Sequence, residues 1–216
     1  MLNFLKTTDT HKDYWKNRKI NWIDHYAKTW DHPHRQFIID KLKTMRWISV
    51  IEVGCACGPN LARIASHFPR ADIGGIDINP DAIATARAWF QDIFKGTLRR
   101  SWFKVNSGDD IMISDGSTDV ILSDMTLIYV GPDQIKKYLS EMKRVTRNYI
   151  MLMEFHSRNP LKRLWLKWKS GYNCYNYKEL LEGLGFYNIS VDKLPPNLWD
   201  NHEPQKTFAY LITAQK

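Results

Sequence analysis

No run of apolar residues in this sequence approaches the roughly 18 that a membrane span needs. The opening stretch "MLNFLKTTDTHKDYW" lacks the continuous apolar core and small-residue cleavage site of a signal peptide. These two absences lead to the expectation of a soluble, cytoplasmic protein. Cysteine is scarce: Cys55, Cys57 and Cys174 are the only three, and two of them lie one residue apart. That is no disulfide framework, and a structural metal site, which ordinarily needs four ligands, has no second pair to complete it. No metal is expected. There are no internal repeats and no low-complexity linkers, and 216 residues suit one domain with a sizeable core.

Acid is also in short supply, with 23 Asp and Glu against 31 Lys and Arg. The imbalance is local. Residues 1–46 carry ten cations against five acids, and residues 156–178 carry six cations and no acid, whereas 47–155 hold twelve against thirteen. Segregated charge of this kind suits an anionic partner, and equally a solvated face. RNA or an anionic membrane surface is the partner class these two segments would fit.

Strands and helices alternate from residue 47 onward. "WISVIEV" (47–53), "ADIGGIDI" (71–78), "TDVILSD" (118–124) and "NYIMLMEF" (148–155) are short apolar runs of the kind buried on both faces. A further strand and loop is expected over "SWFKVNSGDD" (101–110), and two more strands near 186–192 and 206–213, forming an antiparallel pair at one edge. Pro59 and Asn60 open a helix through His67. Asn79 caps another, with Pro80 at its first position and Ile83, Ala86, Phe90, Ile93 and Phe94 as its apolar stripe. A third helix is expected from near Pro132 and a fourth around "YKELLEGLGF". The expected fold is α/β: a doubly wound, mostly parallel, Rossmann-like sheet of seven strands, residues 47–216, preceded by a helical cap over 1–46, in one structural domain overall.

The stretch "VIEVGCACGPN" (50–60) runs from a strand into a helix N-terminus, where free N–H groups and a partial positive charge meet a ligand. A nucleoside triphosphate would want Lys-Ser/Thr after the glycines, but Pro59 and Asn60 stand there. A dinucleotide would want G-x-G-x-x-G, but the spacing is Gly54, Ala56, Gly58, and the Glu52 carboxylate would repel a pyrophosphate. Both cysteines also read as small residues packing a tight turn.

The order E-x-G-x-A-x-G, an acid ending the second strand, then G-D after the third, resembles the class I S-adenosylmethionine-dependent methyltransferases, in particular the small single-domain type that acts on metabolites. The likeness covers about residues 47–155 and the "LLEGLGF" step. It implies S-adenosylmethionine as cofactor. Glu52, Gly54, Cys55, Ala56 and Gly58 would form the turn around its methionine part, with Ala56 a departure where many members carry glycine. Asp77 would accept both ribose hydroxyls, a task suited to an acceptor-only carboxylate. Ile78 would pack on the adenine, Asp109 would take its amino group, and Asp110 and Ile111 would supply backbone beside it. Ser123 would line the floor below the methyl group. Tyr14, Trp15 and Arg18 would sit near the methionine end, an aromatic face near a sulfonium being favourable.

The candidate catalytic residues are Asp124, Tyr129 and His156, the last at the carboxyl end of a strand and of a type that titrates near neutrality. Each also has an ordinary reading as a cap or packing residue. His32 and His34 are candidates to project inward from the cap. No Asn/Asp-Pro-Pro-aromatic turn follows the fourth strand, where "SDMTLIYV" stands instead, which argues against transfer to base amines. The expected activity is methyl transfer to a small molecule, with anionic acceptors in view. The alternatives are a methyltransferase acting on RNA or an anionic lipid, and a non-catalytic cofactor-binding module. In residues 159–177, Leu161, Leu164, Trp165 and Trp168 share one helical face edged by Lys and Arg. That face is expected as a lid over the acceptor, then as a contact for an anionic substrate, then for a membrane surface.

Overall fold

The computed structural model describes residues 8–199 and 203–216; the first seven residues of the expected cap lie outside the described residues. Seven strands form one sheet: β1 (Ser49–Val53), β2 (Asp72–Asp77), β3 (Arg100–Val105), β4 (Thr118–Asp124), β5 (Thr146–Phe155), β6 (Tyr187–Lys193) and β7 (Ala209–Gln215). Their order is β3-β2-β1-β4-β5-β7-β6. The first five are mutually parallel, and β7 runs antiparallel to both β5 and β6. This is the doubly wound, Rossmann-like arrangement the alternating pattern implies. The chain steps outward from β1 to β2 and β3, then returns to place β4 on the other side of β1. That reversal leaves a crevice at the carboxyl ends of β1 and β4, where ligands bind in open α/β sheets.

The strand period of two sorts side chains into two layers. Val50 of β1 and Leu122 of β4 point into the layer shared with helices α3 (His34–Lys43), α4 (Pro59–His67) and α5 (Pro80–Phe94). Ile51 and Ile121, one residue along, point into the layer under α6 (Ile135–Val145) and α8 (Tyr177–Gly183). Gly75 in β2 is required by close approach. A Cβ there would come within 2.7 Å of Cys55 Sγ and of the Phe103 ring on the paired strand β3.

Local signals placed several elements well. Asn79 accepts from the amides of Asp81 and Ala82, each at 2.9 Å, and so caps α5 behind Pro80. Its Nδ2 also donates to Trp15 O at 2.7 Å and Arg18 O at 2.9 Å. The same residue thus anchors the end of the N-terminal helix α1 (Thr8–Asn17), which is followed by the short α2 (Trp22–His25). Three expectations are corrected. The helix expected from Pro132 begins at Ile135, because Gly131 O first accepts the amides of Gln134 and Ile135 in a turn. Ile93 is exposed, since the buried stripe of α5 ends at Phe90. Residues expected to open the last strand are helical, in α9 (Glu203–Phe208), and the strand begins at Ala209. The final pair is antiparallel and closes one edge, with β6 outermost.

Candidate functional site

Strand β1 ends in a turn that backbone hydrogen bonds draw against β2. The amides of Gly54 and Cys55 both donate to Ile76 O, at 2.8 and 3.0 Å. Gly54 sits at φ +75°, and a Cβ would lie 2.2 Å from Thr126 Oγ1, so both conformation and space demand glycine. Ala56 adopts φ +50°, a left-handed conformation that L residues rarely take. It is held there by Asp77, whose Oδ2 accepts the Ala56 amide at 2.8 Å while Oδ1 accepts the Asn79 amide at 2.8 Å. Burial pushes the Asp77 carboxyl above its usual range, and these two amides pull against that shift.

Beside the turn lies a cleft of about 220 Å³, room for an organic ligand rather than one ion or one water. Gly54, Ala56, Asp77 and Ile78 form one side, Asn106, Ser107 and Gly108 another, and Asp124, Met125, Thr126 and Tyr129 a third. Trp15 of α1 and Trp22 of α2 close it from above the sheet edge. Tyr129 packs its ring 5.1 Å from that of Trp15 and 5.6 Å from that of Tyr172. Burial raises the Tyr129 phenol far above its ordinary pKa, so it stays protonated.

Under the cleft runs a buried polar network. Asn60, in the first turn of α4, donates from Nδ2 to Glu52 Oε1 at 2.6 Å and to Asp124 Oδ2 at 3.0 Å, and its Oδ1 accepts from Arg35 Nη1 at 2.5 Å. His34 Nε2 lies 3.2 Å from Asp124 Oδ2, and Arg35 Nη1 lies 3.4 Å from the same oxygen. Burial would raise the Asp124 carboxyl, but His34, Arg35 and the Asn60 bond outweigh it and hold the pKa below its ordinary value. Glu52 goes the other way. Burial, with Asp124 nearby, pushes it up to about 8 against the Asn60 bond and Arg35. The network joins a strand end, a helix start and α3, and of its members sequence reasoning missed Asn60 and Arg35. Their only sequence signal is a polar residue in the first turn of each of two helices.

The remaining candidates divide. Asp109 stands beside the cleft, bonded to two residues that line it: Lys12 Nζ bonds its Oδ2 at 2.8 Å and Ser107 bonds its Oδ1, while Asn106, three residues earlier, lines the cleft itself. Asp110 is exposed, and Ile111 is buried with its amide on Glu141 Oε2 at 2.9 Å. Ser123 turns away to bond Glu154 Oε1 at 2.7 Å. Cys55 is buried in the turn and Gly58 stands at the N-terminus of α4 with φ +84°. Tyr14 is exposed, and the Arg18 guanidinium covers the Trp15 ring at 4.6 Å. His156 is buried outside the cleft. Its Nδ1 accepts the Tyr177 amide at 3.2 Å, and burial, aided by Arg158 and Arg163, lowers its pKa to about 4. Among the described residues no three His, Cys, Asp or Glu side chains are placed to share a metal ion, and no helix is long and apolar enough to cross a membrane.

The profile of the family described as "Methyltransferase domain" matches residues 50–149, the span from β1 to the start of β5. The match covers a little under half of the chain. S-adenosylmethionine is the cofactor of that family. Carboxy-S-adenosyl-L-methionine synthase 1 of Yersinia pseudotuberculosis is 25% identical over 138 residues, covering 60% of this chain and 57% of that protein. The chain thus spans little more than half the length of this curated relative. The geranyl diphosphate C-methyltransferase of Streptomyces coelicolor shares the fold with a TM-score of 0.71 at 13% identity, over 96% of this chain and 97% of that one. So does the magnesium protoporphyrin IX methyltransferase of Synechocystis PCC 6803, solved with its cofactor bound, at TM-score 0.63 and 11% identity over 100% and 94% of the two chains.

The cleft fits such a cofactor on its own chemistry. Asn106 Oδ1, Asp124 Oδ1 and the indole nitrogens of Trp15 and Trp22 are buried without hydrogen-bond partners, and all four residues line the cleft. Buried polar atoms in a native protein find partners, and a ligand bearing both donors and acceptors supplies them.

Proposed function

We propose that this chain transfers a methyl group from S-adenosylmethionine to a small organic acceptor bound in the same cleft. The observation that carries the reading is the position of Asp77. It clamps the Ala56 turn through one oxygen and the α5 N-terminus through the other, and it faces a cleft whose other walls hold unpartnered acceptors. When bound, the cofactor supplies a methyl group on a positively charged sulfur, already activated for displacement.

The chain's own residues bind and orient. Each Asp77 oxygen keeps a second lone pair for a ribose hydroxyl, and Ile78 offers an apolar edge to the base. Asn106 Oδ1, buried without a partner, would accept an amino group, the role the family likeness gives to Asp109. Asp124, held ionised by His34 and Arg35, is a weak base, so it serves as fixed negative charge near a cationic group rather than as a proton acceptor. Tyr129 and Trp15 narrow the entrance and keep water from the reacting carbon, and in-line approach of the acceptor then decides the rate. His156 lies away from the cleft and is neutral near pH 7, which favours a structural part for it.

Calorimetry with S-adenosylhomocysteine tests the cofactor half, and methyl transfer from labelled cofactor into fractionated small-molecule extract tests the acceptor half. The expected result is micromolar-range binding that falls at least about tenfold in Asp77→Ala, beyond any change in thermal unfolding. Well-folded protein that binds neither cofactor nor product overturns the reading. Binding without transfer to any pool favours the non-catalytic alternative.

A further inference from the structure

Helix α7 (Pro160–Ser170) is capped by Asn159, whose side chain accepts the amides of Leu161 and Lys162, and it ends at Gly171 in the left-handed conformation. Such a well-formed amphipathic helix is expected to turn its apolar stripe toward the core. This one does the reverse. Leu161, Leu164, Trp165 and Trp168 are 74, 68, 48 and 64% exposed, while Leu166 alone is buried, at 1%. Ten large hydrophobic side chains are exposed among the described residues, and four of them lie on these eleven residues, so they are a patch rather than scatter.

The wheel shows what the patch is built for. At about 100° per residue, the four apolar side chains fall within one arc of about 100°, with Leu166 on the back. Lys162 and Lys169 run along one border of the arc, and Arg163 and Lys167 lie beyond the other. Lys169 Nζ sits 4.8 Å over the Trp165 ring. Among the described residues no carboxylate pairs with Lys162, Arg163 or Lys169, and the whole segment 156–178 contains no acid. The helix follows β5 at its carboxyl end, the same sheet edge that holds the cleft. Tyr172, just past α7, touches Tyr129 in the cleft wall.

We propose that this face of α7 docks on an anionic lipid surface. Apolar and indole side chains on one face, with cations at both borders, are the composition of a helix that lies in a bilayer interface. Indoles favour the headgroup level, and each nearby Lys or Arg adds attraction to anionic lipid. A second copy of the chain is disfavoured as occupant because it would bring six cations against six. RNA is disfavoured because Leu161 and Leu164 stand outermost and offer bases nothing to stack on. Docking is independent of cofactor binding and is measured without it.

Co-sedimentation of the full chain with vesicles tests this, using pure phosphatidylcholine and phosphatidylcholine with about one part in three phosphatidylglycerol. The expected result is binding to the anionic vesicles only, weakened by salt, with a blue shift of tryptophan emission. Leu161→Gln with Trp168→Gln should lower binding at least about tenfold, as should Lys162→Glu with Lys169→Glu. Both double variants should keep the parent's thermal unfolding and its affinity for S-adenosylhomocysteine. Absence of vesicle binding, equal binding to both vesicles, or variants that bind like the parent overturns the proposal. So does retention of a single-stranded RNA oligomer, or self-association lost in the Gln variant, where vesicles are not bound.

Discussion

Asn60 Nδ2 donates to Asp124 Oδ2 at 3.0 Å across 64 residues of sequence, and the same nitrogen donates to Glu52 at 2.6 Å. One amide therefore separates two buried carboxyls and passes its own oxygen to Arg35. The charge state of the cleft floor depends on it.

Asn60→Ala should leave a buried carboxyl and a guanidinium each short of a partner. A loss of about 2 kcal/mol is expected, a fall of about 4–8 °C in melting temperature for a chain of this size. Thermal unfolding followed by circular dichroism measures it. An unchanged midpoint would show that the network carries no stability.

Glu52 titrates near 8 in the folded chain, above the ordinary 4.5. The folded state therefore holds the extra proton between those values, and stability from this group is full at low pH and declines as pH rises toward 8. Glu52→Gln removes that decline. Its melting temperature should exceed the parent's by several degrees at about pH 9 and converge with it near pH 5. A constant offset across that range would refute the assignment.

His156 behaves oppositely. Its folded pKa of about 4 lies below the ordinary 6.5, so the stability it confers is present above 6.5 and is lost as pH falls toward 4. His156→Gln should flatten that acid loss while leaving the pH dependence of methyl transfer near neutrality unchanged. A shift of the neutral limb of the rate profile would restore it as a catalytic base.

Gly54→Ala should cost about 2 kcal/mol or more, from the left-handed conformation and the collision with Thr126 together. It should weaken S-adenosylhomocysteine binding as well, because the turn moves. Calorimetry beside thermal unfolding separates the two effects. Parental behaviour in both would mean the turn is more pliable than its contacts suggest.

The elements most legible in the sequence were those set by neighbours in the chain. The Asn79-Pro80 start of α5, the Pro59 opening of α4 and the apolar strands followed from local hydrogen bonds and periodicity, and so did the placing of Asp77 at a strand end. Residues whose surroundings depend on distant partners are less legible. The acid in "SGDD", the candidate for the adenine, is bonded by Lys12 of α1 from 97 residues away, a partner no local pattern announces, and Asn106 lines the cleft beside it. His156 stands at a carboxyl strand end, bridged to Tyr175 and bonded by the Tyr177 amide, partners about 20 residues further along the chain.

Sequence alone determined the alternation, hence the mostly parallel sheet, because strand and helix periods and caps are local properties. It also determined that residues 161–168 make an amphipathic helix. Only the tertiary structure decided which side of that helix meets the core, and which of several acids faces the cleft. Those outcomes rest on packing between segments far apart in the chain, and no local pattern records them.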